Sequence, residues 1–319
     1  MKKAVKIWFI TALSLVVLGC VLFAGVMTSL KWDFSKLSTV IYETNTSDIN
    51  EPFDDISLTT DTADIVFALS KDGICRVECR EEKNAKHTVT VENGVLTVKT
   101  DDKRTLRDYV GFNFDSPKIT VYLPQTEYGT LSVCETTGNI EIPKDFVFDD
   151  IDIAVSSGNV SISAAVREES KIKTSTGNIT VQDTSAGSLD ISVATGTVTV
   201  SDVSCTGDVS VKCINGEVQM SDISCKNVVS DGTTGDISLK NVLASEKLSL
   251  ARSTGYVNFS GCDAGEVYIK TTTGNVTGSL LTEKIFVTAT DTGNVEVPET
   301  TTGGRCEIRT NTGDIKITV

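Results

Sequence analysis

Glycine recurs at positions 138, 158, 177, 196, 216, 235, 255, 274, 293 and 313, always 19 or 20 residues apart. Thr precedes the Gly in eight of the ten cases, and Asn or Asp follows it in seven: Asn139, Asn159, Asn178, Asp236, Asn275, Asn294 and Asp314. A fixed period of this length means one structural unit stacked many times. Apolar residues alternate on both sides of each turn. Leu189, Ile191 and Val193 precede Gly196, and Val198 and Val200 follow it; Leu248 and Leu250 precede Gly255, and Val257 and Phe259 follow it. Period-2 alternation is the mark of strands with one buried face.

Each unit therefore reads as one coil: strand, Thr-Gly-Asn/Asp turn, strand, second turn. The Gly supplies a corner that a Cβ would crowd, and the adjacent Asn or Asp is expected to bond its own backbone. A single coil cannot bury its inward residues, whereas stacked coils can. The predicted fold is all-β: a parallel, β-helix-like β-solenoid of about ten 19–20-residue coils over residues 125–319. Ten coils at ~4.8 Å give a rod ~48 Å long. The nine-residue calcium repeat, the six-residue left-handed repeat and the leucine-rich repeat do not fit this period.

Lys2, Lys3 and Lys6 precede an uncharged, mostly apolar run from Ile7 to Leu30. At ~1.5 Å per residue the run spans ~36 Å, enough for a hydrocarbon core of ~30 Å. The early lysines favour an N-terminus on the inside. The reading is a cytoplasmic segment 1–6, one transmembrane helix 7–30, and an extracytoplasmic remainder. A cleaved signal peptide would have a shorter apolar core. Lipidation at Cys20, after Val17-Leu18-Gly19, would require the apolar run to stop there, but it continues through Val21-Leu22-Phe23.

Residues 31–52 read as a polar linker, and residues 53–124 as a small antiparallel β module that caps the first coil. Its clearest signal is Asn93-Gly94 between alternating strands, a tight hairpin turn. The net charge of −14 disfavours nucleic acid and anionic lipid as partners.

The chain has nine Cys and one His. That odd number, in a long chain without CxxC spacing, is no disulfide scaffold, and a single His speaks against zinc. Cys75 and Cys79 share a strand face but lie too far apart to bond. Nine residues after the turn Gly stand Ala186, Cys205, Cys225, Ala244 and Ala264, a narrow corner that admits only small residues. Six residues after it stand Asp183, Asp202, Asp222 and Asn241. A stacked carboxylate ladder either caps turns in water or holds a cation such as calcium. His87, between Lys86 and Thr88, reads as a surface-strand residue. Tyr256 and Tyr268 are isolated aromatics and define no sugar platform. No catalytic, cofactor-binding or metal-binding residues are assigned.

The motifs Thr136-Thr137-Gly138-Asn139-Ile140, Ser175-Thr176-Gly177-Asn178-Ile179, Thr233-Thr234-Gly235-Asp236-Ile237 and Asn311-Thr312-Gly313-Asp314-Ile315, with Pro117–Pro124 ahead of them, resemble the bacterial putative-adhesin family of unknown function with β-strand repeats. Thr197, Glu217 and Tyr256 depart from the pattern. The resemblance implies a non-catalytic adhesin-like or scaffold role at the cell membrane, with a cell-wall polymer, host glycoprotein or envelope protein as partner. Two alternatives stand beside it, an envelope-stress sensor and a polysaccharide-active enzyme. A last reading concerns Ile315-Lys316-Ile317: as the final coil with no cap after Val319, it would be an open edge for weak self-association.

Overall fold

The computed structural model describes residues 3–37, 40–104 and 116–319. Lys3–Ser29 is an α-helix, and its stretch Val5–Ser29 is long and apolar enough to cross a membrane. Thr11, Ser14 and Thr28 turn their hydroxyls back onto the carbonyls of Ile7, Ile10 and Ala24, so the apolar surface carries no free donor there. The helix stops where Lys31 (φ 56°) and Trp32 (φ 58°) enter the left-handed region and the Trp32 N–H bonds the Met27 carbonyl at 2.8 Å.

The larger part of the described strands forms a parallel β-solenoid of about ten turns. One coil shows the plan. Ser188–Thr195 runs into Gly196, and Val198–Cys205 leaves it. Both strands pair in parallel with the next coil, Ile191 beside Val211 and Val198 beside Val218. Leu189, Ile191, Val193, Val198 and Val200 point inward and are buried, as the alternation requires. At Gly158 (φ 152°) a Cβ would land on the carbonyl oxygen of Gly138, and the relation repeats up the stack. Both conformation and space thus demand Gly at this corner.

The turn Asn and Asp residues differ from expectation. Their side chains bond the next coil and not their own backbone. Asn139 Oδ1 accepts from the Asn159 N–H at 3.0 Å, Asn159 Oδ1 from Asn178 at 2.9 Å, and Asn178 Oδ1 from Thr197 at 2.9 Å. The extended strand leaves this N–H pointing along the stack, where only the neighbouring coil can meet it.

The N-terminal module is mixed in pairing, not simply antiparallel. Asp55–Thr62 and Asp64–Leu69 form a solenoid coil of their own, in parallel register with Glu127–Thr137 and Ile140–Ile142. Val95–Asp102 and Lys118–Leu123 add a further parallel layer. Antiparallel pairing is confined to the outer strands: Ala85–Glu92 with Val95–Asp102, Cys75–Glu82 with Lys118–Leu123, and Tyr42–Ile49 with Cys75–Glu82. Tyr42–Ile49 lies within the expected linker 31–52 but is a full strand, because it pairs the backbone groups on the edge of Cys75–Glu82 that Lys118–Leu123 leaves free. Asn93 (φ 52°) and Gly94 (φ 80°) make the expected hairpin turn. Phe67, Tyr128, Phe146 and Phe148 fill the wide base of the core, with Tyr128 and Phe148 centroids 5.8 Å apart.

The far end departs most from the order of the sequence. Gly304–Thr312 pairs on one side with Val257–Thr273 and on the other with Lys284–Thr292. Ile315–Thr318 likewise lies between Val276–Leu280 and Val295–Glu296. The last coil in sequence is therefore inserted beneath the one before it. Turn side chains give the same order: the Asp314 N–H donates to Asn275 Oδ1 at 2.9 Å, and the Asn294 N–H to Asp314 Oδ1 at 2.8 Å. Ile315 and Ile317 are buried, so the C-terminal coil is not an open edge. The open edge belongs to Lys284–Thr292 and Val295–Glu296, where Ile285, Val287 and Val295 are exposed. Val297, in the connection that follows, packs back against the core.

Candidate functional site

The parallel register converts each coil position into a straight row of side chains. The outward position three residues past the turn Gly aligns Ser161, Thr180, Thr199, Gln219, Ser238, Asn258 and Thr277, each paired with the next. All seven are uncharged and polar, in a chain whose net charge is −14. Glu141 lies next to Ser161 at one end of the row, and Lys316 next to Thr277 at the other. At ~4.8 Å per coil the neutral stripe is ~29 Å long. A shallow groove of about 460 Å³ follows its upper part, with Met220, Leu239 and Phe259 forming part of the lining. Gly278 leaves room for the Phe259 ring, which a Cβ there would strike.

The acidic ladder has a conformational cause. Asp183, Asp202, Asp222 and Asn241 have φ of 52°, 54°, 55° and 53°, and the next coil places Gly261 at 61°. A second left-handed corner explains the residue types, because Asp, Asn and Gly visit that region most readily. Asn241 Nδ2 donates to Asp222 Oδ1 at 2.8 Å. The left-handed corner accounts for the residue types of the ladder by itself.

The small-residue corner is as expected: Ala186, Cys205, Cys225, Ala244 and Ala264 are all buried, and Cys205 and Cys225 are free thiols. Burial pushes the Cys205 thiol up to about 11 and the Cys225 thiol to about 12, which keeps both protonated and inert. Tyr256 is exposed, and Tyr268 lies under the Lys247 ammonium at 6.0 Å.

His87 is not a surface residue. Its side chain is 3 % exposed, and Nδ1 lies 2.8 Å from Glu81 Oε2. The signal was present in the alternation: Ala85, His87, Val89 and Val91 share one face, as Cys75, Val77, Cys79 and Glu81 do on the neighbouring strand. The polar neighbours Lys86 and Thr88 belong to the opposite face.

A second row was also missed. The inward position three residues before the turn Gly is Val155, Val193 and Gly232 in three coils but carries a side chain with a polar or thiol group in the others. Thr290 Oγ1 donates to the Gly313 carbonyl at 2.9 Å, Thr310 to Gly274 at 3.1 Å and Cys213 Sγ to Gly196 at 3.4 Å. These donors meet turn carbonyls of the adjacent coil, which explains hydroxyls inside an apolar cylinder.

An apolar helix joined to a rod of glycine-cornered coils defines a β-solenoid protein whose surface is organised in rows and not around a deep pocket. The chain belongs to the Toastrack DUF4097 family, whose profile matches residues 53–211 and 206–319. Among solved structures it is similar to a putative lipid binding protein from Parabacteroides distasonis, at 14% identity and TM-score 0.47, covering 86% of this chain and 97% of that one. It is also similar to a putative adhesin from Bacteroides fragilis, at 16% identity and TM-score 0.42, covering 86% and 97%. A putative adhesin from Parabacteroides merdae is similar at 14% identity and TM-score 0.38, covering 76% and 96%. No curated protein matches the chain.

Proposed function

We propose that this chain is a non-catalytic, extracytoplasmic adhesin-like or scaffold protein. The helix Lys3–Ser29 holds it in the cell membrane with the N-terminus cytoplasmic, and the neutral stripe is its contact face. The observation that carries the reading is the stripe itself. Seven coils in succession keep hydroxyl or amide groups at one outward position, Ser161 through Thr277, although the chain as a whole is acidic. Such a row offers donors and acceptors at a regular spacing without a charge to repel or select. It suits an uncharged, polyhydroxylated polymer such as a wall or host glycan.

The test uses full-length protein in liposomes passed over immobilised wall polymers and host glycoproteins. Retention above empty liposomes is expected, and Gln219→Glu with Asn258→Asp should weaken it. Equal passage of loaded and empty liposomes across the panel would rule the reading out. We also assign weak self-association to the coil of Lys284–Thr292, because its edge strand carries exposed Ile285 and Val287 with no charge between Ile285 and Thr290.

A further inference from the structure

Cys75–Glu82 turns Cys75, Val77, Cys79 and Glu81 into the base of the solenoid. Three of these suit an apolar interior, but Glu81, at 1 % exposure, does not. A buried carboxylate needs compensating charge. Among the described residues Glu81 has no lysine or arginine within ion-pair distance, and His87 is its one such partner. Glu81 Oε1 accepts from Asn45 Nδ2 at 2.6 Å, and Oε2 from the His87 N–H at 2.5 Å and from Nδ1 at 2.8 Å. Cys79 Sγ completes the group, in a residue 3 % exposed. The three ligand atoms all lie within 4.8 Å of one another, the one such group among the described residues.

We propose that Cys79, Glu81 and His87 bind a single zinc-type divalent ion at the base of the solenoid. The donor set selects the metal: thiolate, imidazole and carboxylate are the three zinc ligands of proteins, whereas calcium and magnesium take oxygen alone. Charge selects it too. A thiolate and a carboxylate neutralise a dication, leaving a neutral group in a buried position. On binding, the Cys79 S–H bond breaks, sulfur bonds the metal, and that proton leaves to solvent; the Nδ1 proton of His87 passes to water as Nε2 takes one up, so that the imidazole stays neutral and Nδ1 is free to bond the metal. The Glu81–His87 contact opens by a few tenths of an ångström, to the ~3.3 Å that bonds of ~2.0 Å subtend at a tetrahedral centre.

A cleft of about 240 Å³ lined by His87, Asp61, Glu82, Thr100 and Arg104 reaches the histidine of the group. Thr100 Oγ1 is buried there without a partner, opposite His87 in the strand register. It is placed to meet a water in the fourth position. The ion would tie Cys75–Glu82 to Ala85–Glu92, and Asn45 brings in Tyr42–Ile49, joining three strands. The solitary histidine, whose number argued against zinc, thus has its two co-ligands supplied by one neighbouring strand.

The experiment takes full-length protein in detergent micelles, strips it with chelator, and titrates it with cobalt(II) and zinc(II). Expected are one ion per chain and a thiolate-to-cobalt charge-transfer band that zinc displaces. Cys79→Ser should abolish the band, and Cys75→Ser should keep it. His87→Gln, which removes a ligand outright, should weaken binding by more than the roughly 10- to 100-fold that loss of an outer-shell partner costs. Because the chain has one histidine, any histidine dependence reports this position. Absence of the band in the wild-type protein overturns the proposal without reliance on any variant. A band that survives both Cys79→Ser and His87→Gln overturns it equally, by assigning the metal to other cysteines.

Discussion

The Arg252 guanidinium crosses the space that Gly232 leaves empty: Nη1 donates to the Cys213 carbonyl at 3.0 Å, and a Cβ on Gly232 would collide with Nη1. Both residues occupy the inward row three positions before a turn Gly, in adjacent coils. The fit is costly. Arg252 is 3 % exposed, its Nε and Nη2 find no partner, and burial lowers its pKa from the ordinary guanidinium value. Arg252→Thr, which installs the residue used at 174, 271, 290 and 310, should leave stability unchanged or raise it by about 1–4 kcal/mol. Gly232→Ala should cost about 1–3 kcal/mol. The double variant should recover only part of that loss, because the Cys213 carbonyl crowds the same Cβ. Urea denaturation of the four proteins closes the cycle. A large loss in Arg252→Thr would show that the guanidinium holds a counter-charge.

The left-handed corner of Asp202 makes a second test. Asp202→Gly should be nearly neutral, since Gly261 occupies the equivalent corner two coils away from Asp222. Asp202→Val should cost about 1–2 kcal/mol from backbone strain alone. Thermal unfolding with calcium and with chelator should give the same midpoint. A calcium-dependent rise lost in Asp202→Gly would return the ladder to a cation role.

Which of these features the sequence displays depends on whether residue type encodes them. The turn Gly and the small corner at Cys205 and Cys225 are steric demands, and sterics restrict identity at every coil. The order of the last two coils leaves no such trace. Asp291-Thr292-Gly293-Asn294 and Asn311-Thr312-Gly313-Asp314 are chemically interchangeable at either level. What separates them is long-range: Lys284 reaches Asp263 at 2.6 Å, and Thr302 meets Glu283. The neutral stripe was written in the sequence as single residues, but it appears as a surface only after the parallel register lines them up. Likewise, Glu81 and His87 each obey the alternation of their own strand, while their meeting depends on how two strands pack.

The exposed edge of Lys284–Thr292 predicts concentration-dependent association. Val287 lies outward and exposed on that edge strand. Val287→Lys places a charge on a strand that lacks one there, a common device against edge pairing. In sedimentation of the full chain in detergent, the wild type should show weak association and Val287→Lys should not. The matching change at buried Ile317 should destabilise the protein instead, because that strand is covered on both sides. Equal association in wild type and Val287→Lys would move the contact elsewhere.

Glu135 couples stability to pH. Its Oε1 accepts from the Ala63 N–H at 2.9 Å, but Oε2 is buried without a partner. Burial pushes the carboxyl from 4.5 up to about 7, with the Ala63 hydrogen bond opposing the shift. The folded chain therefore holds this proton more tightly than the unfolded chain does. Stability from this group is full below the unfolded value, declines as pH rises towards about 7, and is flat beyond it. The penalty at alkaline pH is roughly 3 kcal/mol at most. Glu135→Gln keeps an acceptor for Ala63 and removes the ionisation. The variant should match the wild type near pH 4 and exceed it above pH 7 in chemical denaturation. A constant difference across that range would mean that the carboxyl is hydrated in the folded state and that its unpaired oxygen meets water.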